Sequence, residues 1–492
     1  MIKTHSPDRP SLSFRLLSLS SALLLGAVVA PTSALAVSND DTTPDTSVKS
    51  EMNETGRHKT RLDSTQDQDA TPANTSAKTA PEADEPAVTT LRDMFEQGEV
   101  DGNLRTLYYA NHNAFFLDSV QGDHDRNTAS VGGKLGFTTA ALQGFSLRLS
   151  AYAQRNFTRS SSSNDLSETG FNRDLGRDIS TLGEAYLQWQ GHDFRIRAGN
   201  QAITSVPFTS TYDYRIIPQL YQGVSTRYGN DESYIAAMRM YRYKSRIADS
   251  FDRTTNYNAE AFESPPPNTT EETDGFWALG GAHAVHTDDT DLSGQAWFLN
   301  YKDYANMYYL DGKVAAASGS VKPFFALQYI RETDDGRALV GDVDHHTYGA
   351  QLGLTHNSLT ATLNYNHIPH ENGTFLNGAL VTPYAHNEAS GPLFAQPYLT
   401  STQDLGSGDA YAAEVKGSPF ANTFMGARYS FMDLTPAAGG ESIDQAEYLV
   451  YAIYSFKGAL KGLSVKNFFA YQTQEIQERD YWENRFAIEY AF

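Results

Sequence analysis

From Val100 to the last residue, apolar and polar side chains alternate with period two in one segment after another. In the final segment Trp482, Phe486, Ile488, Tyr490 and Phe492 share one face with Asn484, while Glu483, Arg485, Ala487, Glu489 and Ala491 share the other. A strand about ten residues long, apolar on one face and charged on the other, fits the wall of a transmembrane β-barrel. A strand of a soluble sandwich shows the same alternation, so the remaining segments decide. Val100, Leu104, Tyr108 and Ala110 oppose Asp101, Asn103 and Arg105; Leu147, Leu149 and Ala151 oppose Arg148, Ser150, Tyr152 and Gln154. Phe194, Ile196 and Ala198 oppose Arg195 and Arg197.

Extended along the chain, the pattern predicts strands over 99–110, 128–138, 145–157, 179–190, 194–201, 221–229, 232–244, 275–286 and 291–302. It continues over 304–313, 321–331, 345–356, 358–368, 407–417, 422–432, 444–456, 463–474 and 482–492. Eighteen strands is an even number, as a single-chain bacterial barrel requires. The connections sort by parity. Those after even strands are mostly tight, such as Gly229–Asp231, His286–Asp291 and His356–Ser358; those after odd strands are usually longer, at 158–178, 202–220, 245–274, 332–344 and 369–406. Short turns on one side and long loops on the other mark an outer-membrane barrel with periplasmic termini. A sandwich has no reason to segregate loop lengths. The expected fold is therefore an all-β, antiparallel transmembrane barrel of eighteen strands, at 91–492.

Composition adds the compartment. Lys3, Arg9 and Arg15 precede the apolar stretch Leu16–Ala30, and Ala34-Leu-Ala36 offers a small-x-small cleavage site, so residues 1–36 form a secretory signal peptide. Its loss removes a net +2, leaving the mature chain near −23 against −21 for the whole. Residues 37–90 are built from Thr, Ser, Asp, Glu, Asn and Pro with few large apolar side chains, the composition of a disordered periplasmic extension. The 40% hydrophobic content and mean hydropathy of −0.48 look soluble, but alternating strands keep that average low in barrels. The chain has no cysteine, so disulfides, thiolate chemistry and an N-terminal lipidated Cys are excluded. Its acidity argues against nucleic acid. The 29 Tyr and 26 Phe suit aromatic girdles at two membrane interfaces. The expected surroundings are outer-membrane lipid and lipopolysaccharide, and Phe492 reads as the terminal mark used by the barrel assembly machinery.

A barrel of this size is too wide for side chains to fill and encloses water unless plugged. No globular plug domain is visible, so passage of small hydrophilic solutes is the default function. Alternation turns Arg105, Lys134, Arg148, Arg195, Arg197, Arg227, Arg239, Arg428, Lys466 and Arg485 inward, a basic track able to steer carboxylates, with Asp101, Glu184 and Glu489 opposing part of it. Ala202–Leu220 is too apolar for a solvated loop; folded into the lumen it buries Val206, Phe208, Ile216 and Ile217 and brings Asp213 and Arg215 to a constriction. His283 with His286, and His367 with His370, lie three apart and point to opposite faces of a strand, so neither pair chelates. No nucleophile elbow, P-loop or zinc-protease motif occurs, and no metal or cofactor is expected. The alternative is a non-conducting adhesin or phage receptor using loops 245–274 and 369–406.

Arg197-Ala-Gly-Asn-Gln201, Pro207-Phe208, Asp213-Tyr-Arg-Ile-Ile-Pro218 and Gly223 resemble the OprD-type outer-membrane porins. Gly102-Asn-Leu-Arg-Thr-Leu-Tyr-Tyr109 and Pro383–Leu399, with Gly391-Pro-Leu-Phe394, are similar to members of the same family. The resemblance spans residues 91–492 and implies an eighteen-stranded channel for small, often carboxylate-bearing nutrients, with a basic ladder leading to a loop-built eyelet. It implies eyelet positions for Asp213 and Arg215, flanked by Tyr212 and Tyr214, and ladder positions for Arg239, Arg242, Lys244 and Arg246. Monomer and homotrimer both remain open.

Overall fold

The computed structural model describes residues 88–112, 126–161, 178–211, 215–257, 271–384, 392–398, 407–435, 443–474 and 481–492. The signal peptide at 1–36 and nearly all of the extension at 37–90 lie outside them, as do Tyr212, Asp213 and Tyr214.

Eighteen strands form the wall: β1 (Glu99–His112), β2 (Arg126–Thr138), β3 (Phe145–Ser161), β4 (Ile179–Gly191), β5 (Phe194–Gln201), β6 (Leu220–Gly229), β7 (Tyr234–Lys244), β8 (Phe276–His286) and β9 (Thr290–Tyr301). They continue as β10 (Ala305–Ala316), β11 (Val321–Asp334), β12 (Asp344–His356), β13 (Leu359–Ile368), β14 (Ser407–Phe420), β15 (Thr423–Thr435), β16 (Ile443–Ser455), β17 (Leu463–Gln474) and β18 (Tyr481–Ala491). Each pairs antiparallel with its sequence neighbours, and β1 pairs with β18, so the sheet closes into a ring without an edge. The predicted strands and the observed ones differ only by a few residues at their ends. Connections after even strands take two to seven residues; those after odd strands take six to thirty-eight, except the three-residue turn 302–304.

The two faces separate as the alternation demands. Leu104, Leu135, Leu149, Leu187, Leu279, Leu310, Leu363, Val450 and Ile488 are exposed on the outer wall. Aromatic rings stand among them toward the ends of the strands bearing the long loops, where Phe298–Tyr308, Tyr329–Tyr348, Tyr365–Tyr411 and Tyr429–Tyr448 pair with centroids 5.0 to 5.4 Å apart. Four register shifts interrupt the ladders. One of them sets Gly183 and Glu184 against Ser150 and turns Glu184 inward, where its backbone N–H donates to Ser150 Oγ at 2.7 Å.

A short helix, α1 (Leu91–Glu96), precedes the wall with a capping box between Thr90 and Asp93. Hydrogen bonds from the Thr89 and Thr90 backbone and the Thr90 hydroxyl hold the Asp93 carboxyl below its ordinary pKa. The helix is tied to the β2–β3 turn: Ala140 N–H donates to Met94 O at 2.9 Å and Phe95 stacks on Phe137.

The ring closes at Gly102. Its N–H donates to Phe492 O and its carbonyl accepts from Phe492 N–H, each at 3.0 Å, and a Cβ there would sit 2.7 Å from the Phe492 ring and 2.5 Å from Lys134 O. Gly102→Val should therefore reduce the folded, heat-modifiable fraction on a denaturing gel, whereas a band pattern equal to wild type would show that this seam tolerates a side chain.

Candidate functional site: the lumen and its inward loops

The lumen is divided by charge. From β14 round through β18 and β1 to β6, inward positions carry Lys416, Arg428, Lys466, Arg485, Arg105, Lys134, Arg148, Arg197, Arg195 and Arg227. From β8 to β13 they carry mainly Ala, Met, Tyr, Gln, Asn and Thr, with the acids Asp291, Asp311 and Glu332 and the cations Lys313 and Lys322. Cations are thus more frequent on one side of the lumen than on the other.

The cations fall into two groups. Arg105, Arg148, Arg428 and Arg485 are buried in ion pairs rather than solvated. Arg105 meets Glu489 at 2.8 Å, and Lys466 meets the same carboxylate at 3.0 Å. Arg148 clamps Asp101 through both terminal nitrogens and approaches Glu184 at 3.4 Å, while Lys134 reaches Asp101 at 3.0 Å. Arg485 pairs with Glu483. The second group is β5 and β6: Arg195 lies opposite Arg227, and Arg197 opposite Ser225. All three are only partly buried, and no carboxylate reaches Arg195 or Arg197 among the described residues. Arg197 donates to Gln188 Oε1 at 2.6 Å and lies over the Tyr186 ring, and Arg227 lies over Tyr234 with exposed Asp231 at 3.5 Å.

Two of the sequence-derived track residues sit elsewhere. Arg239 points outward, in the row of exposed Ile235 and Tyr241, because β7 alternates Ala236, Met238 and Met240 inward. Lys244 is fully buried at the extracellular end of β7 opposite Leu220, where its Nζ has no hydrogen-bond partner among the described residues, so it faces no water-filled passage. Arg242 is exposed, following the extra residue Tyr241 that shifts the β6–β7 register.

The described residues of the loop 202–219 rest on two sectors of the inner wall. At one foot Val206 and Phe208 pack with Met238, Trp297, Met307 and Tyr309; at the other Ile216 and Ile217 pack with Leu107, Tyr109, Tyr152 and Ala487. These feet stand on β7–β10 and on β1, β3 and β18, so the segment crosses between sectors of the wall. Arg215 is buried beside the second foot, its guanidinium 4.9 Å from the Tyr109 ring centre and its carbonyl accepting from Arg105 Nη1 at 2.6 Å. The approach to the loop is braced by Gln201, whose amide donates to Gly223 O at 3.1 Å and accepts from Ser225 Oγ at 2.5 Å. Gly223 is required there, since a Cβ would lie 2.1 Å from Arg239 O.

The sequence did not point inward for the loop 369–406, named for the surface-protein alternative, yet its described residues 375–384 and 392–398 turn into the lumen. His345 Nδ1 contacts Gly378 O at 2.6 Å, Val381 N–H donates to the Glu332 carboxylate at 2.7 Å, and Thr382 N–H donates to Tyr257 Oη at 2.7 Å. Tyr384 sits among Tyr221, Tyr243, Phe276 and Tyr301 at 5.1 to 6.0 Å, and burial lifts its hydroxyl well above the ordinary phenol pKa. Residues 392–398 then run round the inner wall as a hoop. Pro392 O accepts from Gln328 on β11, Ala395 N–H donates to Asn366 on β13, and Phe394 O and Gln396 O accept from Arg428 on β15. Tyr398 N–H donates to Glu447 on β16. Six residue steps reach roughly 20 Å, close to the roughly 24 Å that five strand spacings cover on the outside of a curved wall. The sequence signal is the set of amides and acids at inward positions of β11–β16, where a solvated wall has no need of them. Residues 245–257 join the same filling: Tyr257 is buried and Asn256 N–H donates to Pro383 O at 2.7 Å. Both loops therefore send described residues inward, while Asp249, Ser250, Asp252, Arg253, Glu271 and Glu272 of 245–274 stay exposed.

Arg428 is the pin of the hoop, holding two loop carbonyls and Glu414 at 3.3 Å. Arg428→Met should free the Phe394 and Gln396 carbonyls and leave Glu414 with Lys416 and the Tyr398 and Tyr451 hydroxyls, giving larger and noisier single-channel currents as 392–398 detaches. Quiet currents of wild-type size would show that the hoop does not narrow the passage.

Relatives agree with this architecture. A family model described as outer membrane porin, OprD family, matches residues 93–492. No curated protein matches the sequence. Among solved structures, a BenF-like porin from Pseudomonas fluorescens Pf-5 is similar with a TM-score of 0.66 and 15% identity, over 81% of this chain and 99% of that one. OpdK of Pseudomonas aeruginosa with vanillate gives 0.64 and 16%, over 81% and 99%. OccK2 (OpdF) of Pseudomonas aeruginosa in complex with glucuronate gives 0.63 and 17%, over 80% and 98%. At these identities the structures speak for the fold alone, and the family match over four-fifths of the chain speaks for descent. The chain belongs to the OprD family of outer-membrane porins.

Proposed function

We propose that this porin passes small hydrophilic solutes bearing a carboxylate, such as amino acids or organic acids, and that Arg195, Arg197 and Arg227 are the residues that select them. The observation carrying this reading is the division among lumen cations. Arg105, Arg148, Arg428 and Arg485 already have carboxylate partners, so their charge is largely cancelled at short range. Arg195 and Arg197 have none among the described residues, and Arg227 has only the exposed Asp231. Three guanidinium groups on two adjacent strands hold a positive potential that a passing anion can answer. They stand near the turns 192–193 and 230–233, on the periplasmic side of the loops that narrow the lumen. Two similar porins are described with vanillate and with glucuronate, both carboxylates, which supports the same solute class.

Replacing Arg195, Arg197 and Arg227 together by Gln tests the reading. In a potassium chloride gradient the reversal potential should move toward the cation-selective side, and flux of a benzoate-type carboxylate should fall several-fold with single-channel conductance retained. Arg148→Gln is the comparison: it leaves Asp101 and Glu184 short of a partner, so its main effect should be on folding yield. An unchanged reversal potential in the triple variant would remove these arginines from selection.

A further inference from the structure

Arg239 occupies the face of the wall that suits a cation least. It shares the outward row of β7 with Ile235 and Tyr241, and its partner across β8 is Trp277; all three neighbours are exposed to lipid. The guanidinium lies 4.6 Å from the Tyr241 ring centre and 5.2 Å from that of Trp277. One nitrogen, Nη1, donates to Met240 O at 2.7 Å and Phe276 O at 3.2 Å, which leaves Nε and Nη2 without a hydrogen bond among the described residues. Arg242 is exposed on the same hairpin, just past the extra residue Tyr241. Trp277 is the second residue of β8, following the long loop 245–275, so the group sits toward the extracellular end of the wall.

No carboxylate reaches Arg239 or Arg242 among the described residues, and here they differ from other outer arginines. Arg331 pairs with Asp344, Arg253 with Asp274, and Arg337 with both Glu271 and Asp303. Arg155, on the outer face of β3, also lacks a carboxylate, but its two terminal nitrogens go to Gln154 O, Ile179 O and Ser180 Oγ. An arginine on the lipid face of a barrel costs roughly 2–4 kcal/mol at mid-membrane and roughly 0–1 kcal/mol at the interfaces. A charge kept there with half its donors unused calls for an anion supplied from outside the protein. The guanidinium fork matches phosphate oxygens, and Tyr and Trp rings seat at the level of lipid headgroups. The outer leaflet of this membrane provides phosphate on glycolipid, at the depth of the rings.

We propose that Arg239 and Arg242, framed by Tyr241 and Trp277, bind a phosphate of the lipopolysaccharide headgroup on the outside of the barrel. The site opens to lipid rather than to the lumen, so it is separate from solute passage. The test uses the full mature chain, purified in detergent and exposed in parallel to bisphosphorylated lipid A, dephosphorylated lipid A and inorganic phosphate, with retained lipid counted by native mass spectrometry. Wild type should retain the phosphorylated lipid about tenfold better than the dephosphorylated one, and R239Q/R242Q should retain the two alike. Arg337→Gln, which alters an arginine with its own carboxylates, should behave as wild type. If the double variant fails to fold, R242Q alone decides, because its side chain is exposed: a several-fold drop in phosphorylated-lipid retention supports the site, and no drop overturns it. Equal retention of both lipids by wild type would also overturn it, as would release of the lipid by an equimolar amount of inorganic phosphate.

Discussion

Closure of the backbone hydrogen-bond ring governs everything else in this molecule. In hydrocarbon an unpaired peptide group has no water to turn to, so a sheet survives there only without an edge. The β1–β18 ladder, ten residue pairs from Asn103–Ala491 to His112–Trp482, provides that closure. Once eighteen strands are joined this way the interior is too wide for wall side chains to fill. The remaining chain has to fill it. Hence the long connections fold inward, and the wall carries the polar groups that receive them.

The buried charges follow from the same geometry. The carbonyls and amides of 378–384 and 392–398 leave water when the loops dock, and each needs a partner on the wall. Glu332, Asn366, Glu447, Gln328 and Arg428 supply them, and the arginine in turn needs Glu414. On the opposite arc Arg105 and Lys466 meet on Glu489, and Arg148 joins Asp101 to Glu184; Arg105 also holds the Arg215 carbonyl. Most lumen cations are thus held in ion pairs with carboxylates of the wall, and Arg105 and Arg428 also hold a loop. What distinguishes Arg195 and Arg197 is that no carboxylate reaches them among the described residues, and Arg227 has only the exposed Asp231.

The wall was legible in the sequence because period two leaves a mark in every strand and because connection length tracks strand parity. The inward turn of 202–219 was legible too: Val206, Phe208, Ile216 and Ile217 are too apolar for a surface loop, and all four are buried. The second inward loop was not, since 369–406 is polar enough to pass for a surface segment and its partners are scattered over strands far apart in the sequence, from β6 to β16. Arg239 departs from the expected lumen position because the phase of β7, set by exposed Ile235 and Tyr241, puts residue 239 outside whatever its charge. Lys244 and the ion-paired arginines show the reverse limit: alternation states which face a side chain takes, not whether water or a loop meets it there.

Planar-bilayer recording of the purified mature chain tests the central claim most directly. A closed barrel narrowed by two inward loops predicts discrete single-channel steps, small for an eighteen-stranded porin, with a reversal potential on the anion side in a salt gradient. Insertion of folded protein without current above the lipid background would contradict it.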